Sequence, residues 1–93
     1  MYNVTTSKKY RRDFRNLEKS GKYDMTLLDN VIDLLATGEP LPPEYKDHAL
    51  KGKWRGFRDC HIQDDWVLIY KIEHKHLVLA LTRTGTHMQV LDF

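Results

Sequence analysis

The chain has 93 residues, of which 30% are charged and 41% hydrophobic, with a formal net charge of +2 and one cysteine, Cys60. These values exclude two independent cores, a wholly disordered chain, a disulfide framework and a multi-cysteine zinc site, and no apolar run reaches the roughly 18 residues of a transmembrane helix. Because the amino terminus lacks the basic and apolar regions of a secretory signal, we expect a single domain over residues 1–93 in a soluble, cytoplasmic protein.

Charge is distributed unevenly along the chain. Residues 1–23 carry seven Lys and Arg side chains against two acidic ones, and residues 24–43 carry four acidic side chains and no basic one. Residues 44–58 are basic again, with five Lys and Arg against two acidic residues. Two basic stretches fit a polyanionic partner such as RNA, and they equally fit solvated helix and loop faces.

The first half of the chain predicts one strand and two helices. Residues 2–6 form a short segment rich in β-branched side chains, which is typical of a strand. Ser7 suits a helix N-cap, apolar residues follow at helical spacing, and Gly21 closes the segment. A second helix is predicted after Asp24 and ends at Gly38, and the short link between the helices favours a helical hairpin.

The second half of the chain predicts mainly strands. Three prolines in residues 39–43 exclude a helix there. Strands are predicted at residues 55–61, 66–72 and 77–83, and residues 85–93 are a candidate for a short last strand. The order β-α-α-β-β-β, with an optional final β, predicts an α+β fold in which the two-helix hairpin packs on one face of an antiparallel sheet.

Short turns between the last three strands predict a meander with a definite register. If Ile72 lies opposite Leu77 and the hairpin contains no bulge, Trp66 lies opposite Arg83. This register gathers five side chains at one end of the sheet: His61, Asp65, Trp66, Arg83 and His87.

Such a set suits the cleavage of RNA through its 2′-hydroxyl group. A histidine, whose pKa is ordinarily about 6.5, can take the 2′ proton or give a proton to the leaving 5′ oxygen. Arg83 can hold the phosphoryl oxygens, and Trp66 can stack on a base, although a tryptophan in a strand is more often a core residue. His48 joins the set if the proline-containing loop brings it there. Cys60 alternates with His61 and is expected to be a small buried side chain.

Three blocks of sequence resemble the YafQ branch of the RelE toxin superfamily. Residues 45–61 read YKDHALKGKWRGFRDCH, residues 65–71 read DWVLIYK and residues 83–87 read RTGTH. The first half of the chain agrees only in its β-α-α outline and basic first helix. The resemblance implies a RelE-like fold and the toxin of a bacterial type II toxin–antitoxin pair, a ribosome-dependent endoribonuclease that cuts translated mRNA at the A site without metal or cofactor.

The resemblance also implies roles for individual residues. The active-site residues of the family correspond here to His48, His61, Asp65, Arg83 and His87, with Trp66 beside Asp65. We assign the general acid to His87 and the phosphate contact to Arg83, and the general base stays open among His48, His61 and Asp65. The family places a phenylalanine four residues after the last histidine. Leu91 stands there in this chain and Phe93 follows two residues later, which leaves the base contact of Phe93 open.

Two groups of basic side chains are expected to contact RNA. Those expected to bind the substrate are Lys51, Lys53 and Arg55. Those expected to contact ribosomal RNA are Lys8, Lys9, Arg11, Arg12 and Arg15. Because the catalytic set is small, we expect the ribosome to orient the message and free RNA to be a poor substrate.

Partners and alternative functions complete the interpretation of the sequence. A cognate antitoxin is implied, with a carboxy-terminal segment that wraps the toxin, and no membrane is involved. One alternative is a non-enzymatic ParE-like toxin that inhibits DNA gyrase, a group that lacks the histidine set. The other is an RNA-binding module that uses the basic first helix and cleaves nothing.

Overall fold

A mixed sheet with helices on both of its faces forms the fold in the computed structural model, which describes residues 1–91. In chain order the elements are β1 (Asn3–Thr6), α1 (Lys8–Ser20), α2 (Met25–Ala36), β2 (His48–Ala49), β3 (Arg58–Gln63), β4 (Trp66–Glu73), β5 (Val78–Thr86) and α3 (His87–Leu91). Short 3₁₀ turns at Pro43–Tyr45 and Gly52–Trp54 flank β2. Within the described part of the chain, every helix is too short or too polar to traverse a lipid bilayer.

The predicted helix ends in the first half are confirmed. The Ser7 hydroxyl accepts from the backbone N–H of Tyr10 at the start of α1, and Gly21 ends this helix with a left-handed φ of 69°. Asp24 caps α2, and Gly38 follows that helix with a φ of 85°. These ends form as predicted because each depends on contacts within a few residues.

The strand order of the sheet is β1-β5-β4-β3-β2. The pairs β2–β3, β3–β4 and β4–β5 are antiparallel, which confirms the meander, and the short strand β2 lies in a stretch that was predicted as loop. However, β1 runs parallel to β5. The sheet is therefore mixed rather than wholly antiparallel, while the α+β class is confirmed. A parallel pair needs a long crossover, and here the whole chain between β1 and β5 supplies it.

The turn between β4 and β5 lies at residues 74–77, one residue later than predicted. Ile72 is opposite Leu79, whereas the predicted register placed it opposite Leu77. Leu77 has a left-handed φ of 54°, which an extended strand cannot accommodate, so β5 begins after it. The hydrophobic pattern does not reveal this backbone conformation.

A bulge in the same hairpin shifts the register once more. It lies between Ile69 and Tyr70, and beyond it Trp66 is opposite Thr86. The predicted pairing of Trp66 with Arg83 is therefore wrong. A bulge inserts one residue into one strand, and apolar alternation does not predict where this happens.

Both faces of the sheet are covered by apolar side chains. The main core, between the sheet and α1 and α2, includes Leu28 and Cys60, both 0% exposed, which confirms the predicted burial of the cysteine. On the other face Val67 packs with Val90 and Leu91. Two adjacent residues cannot both point to one side of a strand, but they can pack from a short helix. The predicted last strand is therefore wrong, and α3 forms instead.

Candidate active site

Imidazoles and carboxylates meet at one end of the sheet, on the face that α3 covers. Asp59 and His61 alternate with the buried Cys60 along β3, so they lie on the face opposite the main core. His87 begins α3 directly after β5. One nitrogen or oxygen atom from each of Asp59, His61 and His87 lies within 4.8 Å of the others. The ring centroids of His61 and His87 are 5.0 Å apart.

His87 is held between two carboxylates. Its Nδ1 lies 2.7 Å from Oδ1 of Asp65, and its Nε2 lies 3.3 Å from Oδ2 of Asp59. A protonated imidazole donates to both carboxylates at once, whereas a neutral ring donates to only one of them. The observed register explains the contact with Asp65. Trp66 is opposite Thr86, so the residues next to them, Asp65 and His87, are neighbours.

Backbone carbonyls set the tautomers of the other two histidines. Nδ1 of His61 lies 3.1 Å from the carbonyl oxygen of Asp64, and Nδ1 of His48 lies 2.7 Å from that of Lys46. A carbonyl oxygen only accepts, so each Nδ1 carries the hydrogen and each neutral ring keeps its lone pair on Nε2. Both rings can therefore take a proton at Nε2. His48 lies opposite Asp59 in the β2–β3 pair.

Asp59 is the buried acid of this cluster, and the sequence-based prediction missed it. It is 1% exposed, and burial raises the pKa of its carboxyl group, an effect that the nearby His87, His48 and His61 oppose. By contrast, the hydrogen bond from His87 lowers the pKa of Asp65, whose side chain is 64% exposed. Oδ1 of Asp59 receives no hydrogen bond from residues 1–91. The two-residue spacing from His61 on a strand was the available signal.

Asp47 ties the segment that carries His48 to the sheet. Its carboxylate accepts from Nε and Nη2 of Arg58 at 3.2 and 3.3 Å, and the Tyr70 hydroxyl donates to it as well. Tyr70 is 1% exposed, and burial raises the pKa of its hydroxyl group. The residue next to His48 is therefore anchored in the main core, which restricts where His48 can lie.

Arg83 is bound to α1 rather than to the histidines. Its Nε lies 2.7 Å from Oδ2 of Asp13 and its Nη2 lies 3.2 Å from Oδ1, while its side chain is 14% exposed. Together with Arg12 and Lys22 it borders a cleft of about 400 Å³. The shifted register places Arg83 opposite Ile69, which itself lies opposite Asp59, rather than opposite Trp66 as predicted.

Trp66 belongs to the main core. It is 2% exposed, its indole N–H donates to Oγ1 of Thr84 at 2.9 Å, and its ring meets the Tyr23 ring edge-on at 5.0 Å. Stacking on a base needs an exposed ring face, which this position does not offer. The prediction that Trp66 joins the polar cluster is therefore wrong, and the commoner role of a strand tryptophan applies.

The predicted RNA-contacting basic residues are all exposed. On α1 they are Lys8, Lys9, Arg11, Arg12 and Arg15, and in the loop around the second 3₁₀ turn they are Lys51, Lys53 and Arg55. Arg11 donates to the backbone and side-chain oxygens of Thr6 at 2.8 and 3.0 Å. Phe93, the remaining predicted contact, lies outside the described residues. The structure thus presents these cations to solvent on two separate segments.

The chain is similar to characterised toxins over nearly its whole length. The family described as "Bacterial toxin of type II toxin-antitoxin system, YafQ" matches residues 2–92. The mRNA interferase toxin YafQ of Escherichia coli K12 is 44% identical over 85 residues, which cover 90% of this chain and 89% of the relative. A metal-bound toxin from Helicobacter pylori has a TM-score of 0.89 and 42% identity, and the match covers 97% of this chain and 99% of that one. The E. coli DinJ-YafQ toxin-antitoxin complex gives a TM-score of 0.85 with 40% identity over 96% of each chain.

Proposed function

The chain belongs to the YafQ family of bacterial type II toxin–antitoxin toxins, and from this membership we propose that it is an endoribonuclease that cleaves messenger RNA. The observation that carries the proposal is the arrangement of His87, held by Asp59 and Asp65 with the ring of His61 5.0 Å away. A fixed acid beside a second imidazole is what attack by a 2′-hydroxyl group requires. The relative from E. coli K12 carries the name mRNA interferase, which agrees with this chemistry.

In the proposed mechanism His61 is the general base and His87 the general acid. Nε2 of His61 takes the proton of the 2′-hydroxyl group, the 2′ oxygen bonds to phosphorus, and the bond from phosphorus to the 5′ oxygen breaks. Nε2 of His87 protonates that oxygen, which leaves a 2′,3′-cyclic phosphate and a 5′-hydroxyl end. His61 is favoured over His48 by its contact with the His87 ring, and over Asp65 because Asp65 already accepts from His87. His48 is the alternative base.

The negative charge of the transition state needs a cation, and we assign this role to Arg83. Its guanidinium must exchange the carboxylate of Asp13 for a phosphoryl oxygen, since the two groups use the same donors. Lys51, Lys53 and Arg55 are the further substrate contacts in this proposal. They are exposed and therefore accessible to the RNA backbone.

We further propose that cleavage depends on the ribosome and needs no metal. Positioning of the message at the A site supplies an orientation that so small a set of side chains cannot enforce. The exposed cations of α1 provide the surface for ribosomal RNA. A cognate antitoxin is the expected inhibitor, because a solved relative is a toxin–antitoxin complex.

Translation of a defined message in vitro, with cuts mapped by primer extension, tests the proposal. We expect A-site cuts with the wild type, none with His87→Ala, and undiminished cuts with His76→Ala, a matched change in the exposed β4–β5 turn. Equal cutting by folded His87→Ala would contradict the assigned acid. RNA binding without cuts would favour the RNA-binding module, and DNA damage in treated cells would favour the gyrase inhibitor.

The same cluster also has the composition of a metal site. Asp59, His61 and His87 offer one carboxylate oxygen and two imidazole nitrogens within 4.8 Å, and a solved relative is described as metal-bound. We assign such a metal an inhibitory role, because a cation held by Asp59, His61 and His87 would take the place of the proton that His87 must donate. Equimolar Cu²⁺, the divalent ion with the highest expected affinity, should stop cleavage. Loss of activity on treatment with EDTA would instead indicate a catalytic metal.

A further inference from the structure

We propose that the cleft beside His61 binds a nucleobase of the message and selects bases that carry an exocyclic amino group. This inference rests on the proposed nuclease function and specifies which nucleobases of the message the same site binds. The cleft has a volume of about 320 Å³ and is lined chiefly by Glu44, Tyr45, Lys46, His61, Gln63 and Asp64. Small-molecule sites span about 300–1,000 Å³, so one base fits the lower end of that range. Because His61 belongs to both the cleft and the catalytic cluster, a base bound there lies close to the scissile phosphate.

Two histidines of the cluster hold the walls of this cleft. Lys46, which follows the turn Pro43–Tyr45, and Asp64, in the β3–β4 turn, are left-handed with φ values of 49° and 47°. His48 donates to the carbonyl of Lys46 and His61 to that of Asp64. The bonds that orient the two imidazoles therefore also fix the backbone of both walls. A base in the cleft and a phosphate at the histidines are thus held in one geometry.

The polar groups of the cleft favour hydrogen-bond donors on the ligand. The carboxylates of Glu44 and Asp64 only accept, and the amide of Gln63 both donates and accepts. Adenine and cytosine each present an exocyclic amino group at C6 and C4, and guanine presents one at C2, whereas uracil has no amino group and presents a carbonyl oxygen at C4. Carboxylates facing that oxygen repel it. Uracil is therefore the base that the cleft disfavours.

The apolar part and the charge of the cleft favour a base over a phosphate. Tyr45 is partly buried against the main core, and Ile62 is a buried member of that core, so both are held in place. A fixed aromatic ring is a common platform for an unstacked base in RNA recognition. Lys46 is outnumbered by the acidic side chains of Glu44 and Asp64. The net negative charge of these three side chains repels a phosphate from the cleft, while the ammonium group of Lys46 can still contact the phosphate of the nucleotide whose base is bound.

Binding of uncleavable trinucleotides, followed by NMR, tests the subsite. The probes are 2′-O-methyl oligoadenylate, oligocytidylate and oligouridylate, in which the attacking hydroxyl group is blocked. We expect shifts at the side-chain amide of Gln63 and at Tyr45, with adenylate and cytidylate binding about tenfold more tightly than uridylate. Asp64→Asn should abolish this difference, because asparagine keeps the left-handed backbone and loses the charge. Asp33→Asn, an exposed change on α2, should preserve it.

The readout needs no catalysis, so it separates this inference from the proposed function. Shifts that miss the cleft, or equal binding of the three probes, would overturn the subsite even if the protein cuts mRNA. Selective binding by a protein that never cuts would support the subsite while the nuclease function fails. On ribosomes, cuts whose dependence on the base is unchanged by Asp64→Asn and by Gln63→Ala would also overturn it.

Discussion

Replacing Asp59 with asparagine is expected to slow cleavage without unfolding the protein. The substitution keeps the shape of the side chain and removes a negative charge whose Oδ2 atom lies 3.3 Å from Nε2 of His87. Coulomb's law gives a gross attraction of about 5 kcal/mol at this separation with an effective dielectric constant of about 20. Desolvation offsets much of it, and a hydrogen bond to a charged group typically contributes about 1.5–3 kcal/mol net. Loss of that amount from the protonated form of His87, which is the form that reacts in the proposed mechanism, corresponds to a roughly 10- to 150-fold slower reaction.

The same substitution should leave the free energy of unfolding at pH 7 unchanged or higher. Burial raises the pKa of Asp59 in the folded protein above its unfolded value. A carboxyl group with a raised folded pKa contributes stability below the unfolded pKa of about 3.9 and loses that contribution as the pH rises through the folded pKa. The ionised side chain is therefore unfavourable for folding at neutral pH, and asparagine removes this cost.

Two measurements check these expectations. Single-turnover cleavage on programmed ribosomes gives the rate, and urea unfolding at pH 7 gives the stability, with Asp33→Asn on α2 as the matched control. A folded Asp59→Asn protein that cleaves at the wild-type rate would refute the electrostatic role. A large loss of stability would refute the assignment of Asp59 as an unfavourable buried charge.

Three further substitutions test other parts of the site. The pKa of Asp65 is lowered in the folded protein by its hydrogen bond from His87, so the ionised carboxylate stabilises the wild type above about pH 3.9 and this stabilisation is lost as the pH falls through the folded pKa. Asp65→Asn should remove this dependence on pH, which acid unfolding followed by circular dichroism measures. Gly85→Ala should lower both the melting temperature and the cleavage rate, because a φ of 151° strains any residue with a Cβ and the new Cβ lies 3.2 Å from Cγ1 of Val90, which is buried in α3; no change in either would contradict this. Trp66→Phe should lower the free energy of unfolding by about 1–3 kcal/mol, because the hydrogen bond to Thr84 is lost. The KM for programmed ribosomes should be unchanged. A raised KM at full stability would instead show that the ring contacts RNA.

The helices were predictable because their signals are local. Ser7, Gly21 and Asp24 act on backbone groups within a few residues, so the residue types reveal the helix ends. The pattern of apolar residues likewise separated the helical half from the strand half. These contacts form between near neighbours in the chain, and long-range packing has little influence on them.

The polar cluster was predictable in part. His61, Asp65 and His87 do meet, although the pairing from which this was inferred is wrong. They meet because the β3–β4 turn and the end of β5 lie at the same end of the sheet in either register. The placement of Trp66 and Arg83 was not predictable, because it depends on the exact register of the hairpin.

By itself the sequence determined the type of every helix and strand except β2 and α3, the helix caps, the α+β class and the family, since these depend on local backbone preferences and on residue patterns. Only the tertiary structure decided the bulge after Ile69, the parallel β1–β5 pair, the burial of Trp66 and the bond from Arg83 to Asp13. It also revealed Asp59 as the acid opposite Asp65 across His87. Each of these features joins residues far apart in the chain. Their free energies depend on packing and desolvation in the folded state, which no local pattern of residues encodes.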